Sequence, residues 1–251
     1  SARRNIRDVL IAGLHTLEYR GYDSAGIAVI DNKACLERVR RVGKVQSLSD
    51  SLEQSPIKGQ TGVAHTRWAT HGEPSTKNAH PHLSSGSIAL VHNGIIENFR
   101  ELRDELVAKG AAFESDTDTE TVVHLITHYL NGGASQLEAI QKSLKRLMGA
   151  FALGIIFSDD PDLMVAARKG SPLAIGYGDG EVYLGSDAIA LAPFTTQMTY
   201  LDEGDYALLR RNSVVIYDKD GNQVERPRVQ AVAGALTDVK WDRSLELSQE
   251  P

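Results

Sequence analysis

Cysteine is almost missing from this chain. A single one, Cys35, stands among 251 residues, which excludes an internal disulfide and a cysteine-rich zinc site. Long apolar runs are missing too, and none approaches the ~18–20 residues that a membrane-spanning helix needs. The N-terminal Ser1-Ala2-Arg3-Arg4 is charged, but no apolar stretch of a signal peptide follows it. There is no basic excess either: 27 Lys and Arg stand against 33 Asp and Glu, a net charge of −6. Nucleic acid is offered no electrostatic footprint, and the short cluster Arg38, Arg40, Arg41 reads as a solvated strand face. Repeats and low-complexity segments are also lacking. These absences leave a cytoplasmic protein with no nucleic-acid or membrane partner as the expectation. What is present is a 41% hydrophobic content, enough to bury one large α/β or β-sandwich unit or two modest domains.

Ile6, Val9, Leu10, Leu14 and Leu17 recur at helical spacing, so residues 5–19 are predicted as one amphipathic helix. Strands are predicted at 25–30, 35–42, 61–64 and 88–91, and helices at 97–109, 119–130 and 135–147. Asp116, Asp118 and Glu120 favour a helix N-terminus electrostatically. After residue 149 short apolar segments recur at roughly ten-residue intervals with turns such as Gly178-Asp179-Gly180 between them. Such intervals leave no room for crossover helices, so the sheets are expected to be largely antiparallel in an α+β architecture. From Arg226 the periodicity fades, and 229–251 reads as a tail or linker.

Four polar stretches join residues that neither a core nor a turn requires together: RGYDSAG at 20–26, HTRWATHG at 65–72, HNGIIEN at 92–98 and SDTDTE at 115–120. In the second, expected as a loop leaving a strand, Arg67 offers a planar fork to a carboxylate and Trp68 a cover for a small molecule. The plainer alternatives are an Arg paired with a structural acid and a Trp at the core rim. His65, His71, His80 and His82 lack metal-ligand spacing. Asn93-Gly94 is either a hairpin turn or a pair of donors for a developing oxyanion. Asp118 either holds an ammonium or caps the helix starting near Thr119. Together, an Arg for a carboxylate, an Asp for an ammonium and an amide–glycine donor pair suit an amino acid whose side-chain carbonyl is attacked.

The four motifs, in this order and spacing, resemble the glutaminase (class II glutamine amidotransferase) domain of glucosamine-6-phosphate synthases; RKGSPLAIG at 168–176, LGSDAIAL at 184–191 and LDEGDYA at 201–207 fit the same family. The resemblance covers roughly residues 2–226 and implies the N-terminal-nucleophile hydrolase fold, a four-layer α/β/β/α sandwich. It implies hydrolysis of glutamine to glutamate and ammonia, without cofactor or metal, the ammonia serving the conversion of fructose 6-phosphate, held in separate isomerase domains, to glucosamine 6-phosphate. It assigns Arg67 to the α-carboxylate, with Thr70 and His71 assisting, and Trp68 to a closing loop. Asp118 is assigned to the α-ammonium, the Asn93 amide and Gly94 N–H to the oxyanion hole, and Arg20 to support of the nucleophile's neighbourhood.

The family's nucleophile is a Cys at the very N-terminus, on a first strand of the type Cys-Gly-Ile-Val-Gly, its own α-amine assisting proton transfer. Ser1 stands where that strand would end, and Cys35, in a predicted strand, is no substitute. The expectation is therefore an amidotransferase domain at 1–228 lacking its first strand and its activity, without the isomerase domains. Rival readings are another class II amidotransferase, such as amidophosphoribosyltransferase or asparagine synthetase, a non-catalytic glutamine-binding module, or a purely structural domain.

Overall fold

The computed structural model describes residues 5–21, 23–68 and 73–230. Helix α1 (Arg7–Leu17) is followed by β1 (Ser24–Ile30), β2 (Leu36–Val42), α2 (Val45–Gln54) and β3 (Thr61–Arg67). Then come β4 (His82–Ser84), β5 (Ile88–Ile96), α3 (Phe99–Ala108), α4 (Asp118–Asn131) and α5 (Gln136–Leu144). The second half runs β6 (Gly149–Phe157), β7 (Asp160–Lys169), β8 (Ala174–Gly178), β9 (Glu181–Gly185), a short α6 (Ala188–Leu191) and β10 (Gln197–Tyr200). Strands β11 (Tyr206–Arg210), β12 (Ser213–Tyr217), β13 (Gln223–Val224) and β14 (Val229–Gln230) complete it.

The strands form three sheets with the orders β2-β1-β3, β14-β10-β8-β9 and β13-β12-β11-β7-β6-β5-β4, antiparallel at every pairing. Successive strand residues face opposite sides, and β1 uses both. All seven of its residues are buried. Ile27 and Val29 join a core with Val9 and Leu14 of α1 and Leu48 and Leu52 of α2. Ala28 and Ile30 turn the other way, against Ala89, Ala152 and Ile156 of the large sheet. Strand β6 divides likewise: Phe151, Leu153, Ile155 and Phe157 meet Leu102, Val122, Ile126 and Ile140 of α3–α5, while Ala152 and Ile156 enter the core between sheets. Three stacked cores therefore separate four layers, with helices outside and sheets within, as the resemblance implied. Each fully buried Leu or Ile contributes about 1.5–3 kcal/mol relative to exposure.

Several sequence-level expectations need correction. Helix α2 was not foreseen, although Val45, Leu48 and Leu52 carry its buried stripe. Strand β3 runs on to Arg67 rather than ending at Ala64, because its ladder with β1 continues through His65, Thr66 and Arg67. Strand β5 likewise absorbs Asn93-Gly94, paired with Ala152 and Phe151 of β6, so no hairpin turn forms there. Residues 229–230 belong to the sheet as β14, paired with β10. Arg38 and Arg40 do not form a solvated face; they are half-buried and donate to backbone carbonyls. Cys35 precedes β2 and is exposed.

Candidate functional site

A cavity of about 530 Å³ opens between β3, β5 and the start of α4. Its polar end is lined by Arg67, Trp68, Asn93, Gly94 and Asp118. Its apolar end runs between α1 and the strands β3 and β9, past Leu10, Leu14, Val182 and Leu184. Both strands are sheet edges among the described residues, so the apolar end lies where two sheets of one layer face each other without joining.

Arg67 is the last residue of β3, opposite Ser24, and is buried. Its guanidinium reaches the Glu73 carbonyl at 3.5 Å. Burial pulls its pKa down, and the nearby carboxylates of Asp118 and Asp23 act against that. Asp118 opens α4 but does not cap it. The cap is Thr117, whose hydroxyl accepts the Glu120 N–H. That leaves the buried Asp118 carboxylate accepting N–H groups from Ile96 at 2.8 Å and Thr119 at 2.9 Å. The surrounding SDTDTE segment is held by Glu120, which accepts from the Glu114 and Ser115 backbones and the Ser115 hydroxyl. Burial pushes the Glu120 carboxyl up, but the His124 ring, 3.5 Å away, and these hydrogen bonds outweigh it and hold the pKa at about 2.

Asn93 has the opposite parity in β5 to the core residues Ile88 and Leu90, whereas His92 shares theirs. Gly94 has φ +119°, and a Cβ there would meet the Ala150 carbonyl oxygen at 2.1 Å. Glycine is therefore demanded both by the left-handed backbone and by the close approach of β6. Trp68 is 66% exposed, so it does not plug the core rim; its Cβ and ring edge lie over Gly21. Thr70 and His71 lie outside the described residues. Arg20 ends a 3-10 turn, Glu18–Arg20, after α1.

The histidines behind these residues form a connected set that spacing did not reveal. His65 Nε2 lies 2.7 Å from Asn93 Oδ1, and His65 Nδ1 lies 3.1 Å from His80 Nδ1. His80 Nε2 and His92 Nδ1 are each 2.9 Å from Thr119 Oγ1. His82 Nε2 reaches the Thr117 hydroxyl at 3.1 Å. Burial, the largest influence on each ring, lowers the pKa of His65 to about 4 and of His82 to about 3, and pushes His80 and His92 down as well. The segment bearing His80 is clamped from β2, where Arg40 donates to the Lys77 and Ala79 carbonyls and Arg38 to that of Pro81. It also lies directly on Gly26, where a Cβ would come within 2.1 Å of the His80 carbonyl oxygen. Among the described residues no three His, Cys, Asp or Glu side chains converge as a metal site requires.

A buried cation and a buried anion on one cavity, with a primary amide beside them, suit a zwitterion carrying a polar end. The sequence profile of the glutamine amidotransferase domain family matches residues 65–193, which include Arg67, Asn93, Gly94 and Asp118. The chain is 55% identical over 231 residues to a glutamine–fructose-6-phosphate aminotransferase (isomerizing) of Bradyrhizobium diazoefficiens, covering 92% of this chain and 38% of that protein. It is 54% identical over 245 residues to one of Mesorhizobium japonicum, covering 98% and 40%. The chain thus spans about two fifths of the length of these relatives. Among solved structures, the glutamine phosphoribosylpyrophosphate amidotransferase from B. subtilis is 27% identical with a TM-score of 0.75, covering 88% of this chain and 48% of that one. A profile over half the chain, close relatives over nearly all of it and a shared amidotransferase fold agree: the chain belongs to the glutamine amidotransferase domain family.

Proposed function

We propose that this domain binds L-glutamine at the polar end of the cavity and serves its hydrolysis to glutamate and ammonia. The observation that carries this is the placement of buried Arg67 and buried Asp118 on one cavity with Asn93 and Gly94. Arg67 receives the α-carboxylate as a fork and Asp118 the α-ammonium. The γ-carbonyl then meets the Asn93 amide and the Gly94 N–H, which take up the charge that grows on its oxygen during attack. Thr70 and His71 assist Arg67 at the α-carboxylate, Trp68 closes the entrance, and Arg20 supports the neighbourhood of the nucleophile. A thiol adding through sulfur to the side-chain carbonyl carbon forms a thioester as the C–N bond breaks, its proton leaving on the nitrogen as ammonia, and water then cleaves the thioester to free glutamate and the thiol. Exposed Cys35 does not line the cavity, so among the described residues no thiol is placed for this step. The apolar end beside β3 and α1 offers room for a thiol-bearing extended segment. We assign to the chain as it stands glutamine binding without appreciable turnover. By likeness to the relatives, the ammonia is destined for fructose 6-phosphate bound by isomerase domains, giving glucosamine 6-phosphate.

Calorimetric titration with glutamine tests the reading. Arg67→Ala, checked for native circular dichroism, is expected to weaken binding by about 100-fold, the effect of removing a charge-assisted partner worth ~3 kcal/mol. Unchanged affinity in both Arg67→Ala and Asp118→Asn would overturn it.

A further inference from the structure

We propose that a one-way chain of hydrogen bonds, Thr119 to His80 to His65 to Asn93, holds the Asn93 side chain with its oxygen inward and its NH2 toward the cavity. His65, His80 and Thr119 are thereby positioning residues for the oxyanion donor. This inference rests on the glutamine reading for its use, but not for its geometry.

The direction follows from counting protons. A neutral imidazole has one N–H and one bare nitrogen, so a bond between two of them needs one donor and one acceptor. Asn93 Oδ1 can only accept, so His65 donates to it from Nε2 across 2.7 Å. The bare His65 Nδ1 must then accept from His80 Nδ1–H at 3.1 Å. That leaves His80 Nε2 bare, and the Thr119 hydroxyl supplies its one proton there at 2.9 Å. With that proton used, Thr119 Oγ1 accepts from His92 Nδ1–H at 2.9 Å. His92 Nε2 is then bare, and it is one of two buried ring nitrogens among the described residues, with His124 Nε2, that have no hydrogen-bond partner. An unpaired lone pair is the cheaper of the two vacancies, since orphaned buried N–H groups are the rarer kind. The competing acceptor for the Thr119 proton, Asp118 Oδ1, is farther away at 3.3 Å and already takes the Thr119 N–H.

Reversing the chain has a specific consequence. If Thr119 gave its proton to Asp118, His80 would carry Nε2–H and His65 Nδ1–H. A bare His65 Nε2 would then face Asn93, which would have to turn its NH2 inward and its oxygen into the cavity. An oxygen there repels the γ-carbonyl oxygen that it should stabilise. Protonating His65 also breaks the chain, by setting its Nδ1–H against the Nδ1–H of His80, whereas protonating His80 reverses the bond to Thr119, whose hydroxyl oxygen would then accept from Nε2–H. The charged and titratable groups bearing on the two rings are Arg67 from β3, His92 from β5, and His82, whose ring centroid lies 4.9 Å from that of His80. Burial and this surrounding both keep the rings neutral.

A long-range 1H–15N correlation spectrum of the labelled chain at pH 7 reads the tautomers without any variant. Nε2–H on His65 and Nδ1–H on His80 and His92 are expected; Nδ1–H on His65, Nε2–H on His80, or a doubly protonated ring would overturn the chain. Its use is read by titrating glutamine against L-norvaline, which keeps the α-carboxylate and ammonium but has no γ-carbonyl. His65→Leu should weaken glutamine about tenfold, the size of one lost hydrogen bond, and leave norvaline unchanged. His65→Gln, which keeps a donor near Nε2, should restore most of the difference. Equal losses for both ligands in His65→Leu would reduce His65 to a structural residue and sink the positioning role. Failure of the unsubstituted chain to bind either ligand would overturn the glutamine reading, and the role with it; the tautomers would still judge the chain's direction.

Discussion

Strand β5 contains two regions under different rule. From Ile88 to Leu90 every residue is apolar and buried: Ile88 and Leu90 against α3–α5, Ala89 against the facing sheet. From His92 to Gly94 the strand keeps the same ladder to β6 but carries a ring, an amide and a left-handed glycine. In the first region the partners are interchangeable hydrocarbon, and volume is what counts. In the second, the His92 Nδ1 and Asn93 Oδ1 atoms each have a designated partner, and the arrangement is fixed by who donates to whom. The contrast teaches that one strand can be bound to the fold by packing at one end and set to a task by proton bookkeeping at the other.

The sharpest way to break the contrast is at the apolar end. Leu90→Ala is expected to cost about 2–5 kcal/mol of stability by leaving a cavity, measured by urea unfolding, while the preference for glutamine over norvaline persists in the folded fraction. If that preference vanished, the two halves would not be separable.

Acid probes the polar end next. His65 has its pKa lowered to about 4, against about 6.5 when unfolded. Above pH 6.5 neither state binds the proton. Between 6.5 and 4 the unfolded chain binds more, so stability falls with falling pH, by about 3 kcal/mol from this ring. Glu120, held at about 2, contributes stability that is full above about pH 4.5 and is lost as pH drops toward 2. Unfolding free energies measured across pH 7 to 3 should therefore begin to fall near 6.5, and His65→Gln should flatten the upper part of that slope. An unfolding curve flat down to pH 4.5 would show that the rings are not held neutral.

The smallest effect on stability is expected from Asn93→Ala, about 1 kcal/mol for one hydrogen bond, with glutamine affinity falling to that of norvaline. A stability loss as large as that of Leu90→Ala would mean that the amide is part of the core after all.

How much of this was legible beforehand depended on whether the signal was local. The periodicity of α1 and the strands after residue 149 could be read because burial follows short-range spacing. Asn93-Gly94 misled because the dipeptide favours a turn, while pairing along all nine residues of β5 with β6 overrode that preference. Arg67 and Asp118 were picked out by motif, but their sharing of one cavity depends on β3 and α4 meeting across the fold. The histidine chain was invisible: His65 and His80 are separated by 15 residues and His80 and Thr119 by 39, with no spacing rule to connect them. Arg38 and Arg40 looked solvated because the carbonyls that they grip belong to a segment some forty positions later.

The seat of His80 on Gly26 bears on how tolerance to substitution should be interpreted in such domains. A methyl group at residue 26 would drive into a backbone oxygen, which no rotamer change relieves. In a survey of permitted replacements Gly26 would therefore stand out as starkly as Arg67, for want of room rather than for any chemistry of its own. Intolerance at a glycine here marks where two backbones touch, and only the neighbour it touches reveals whether a ligand is involved.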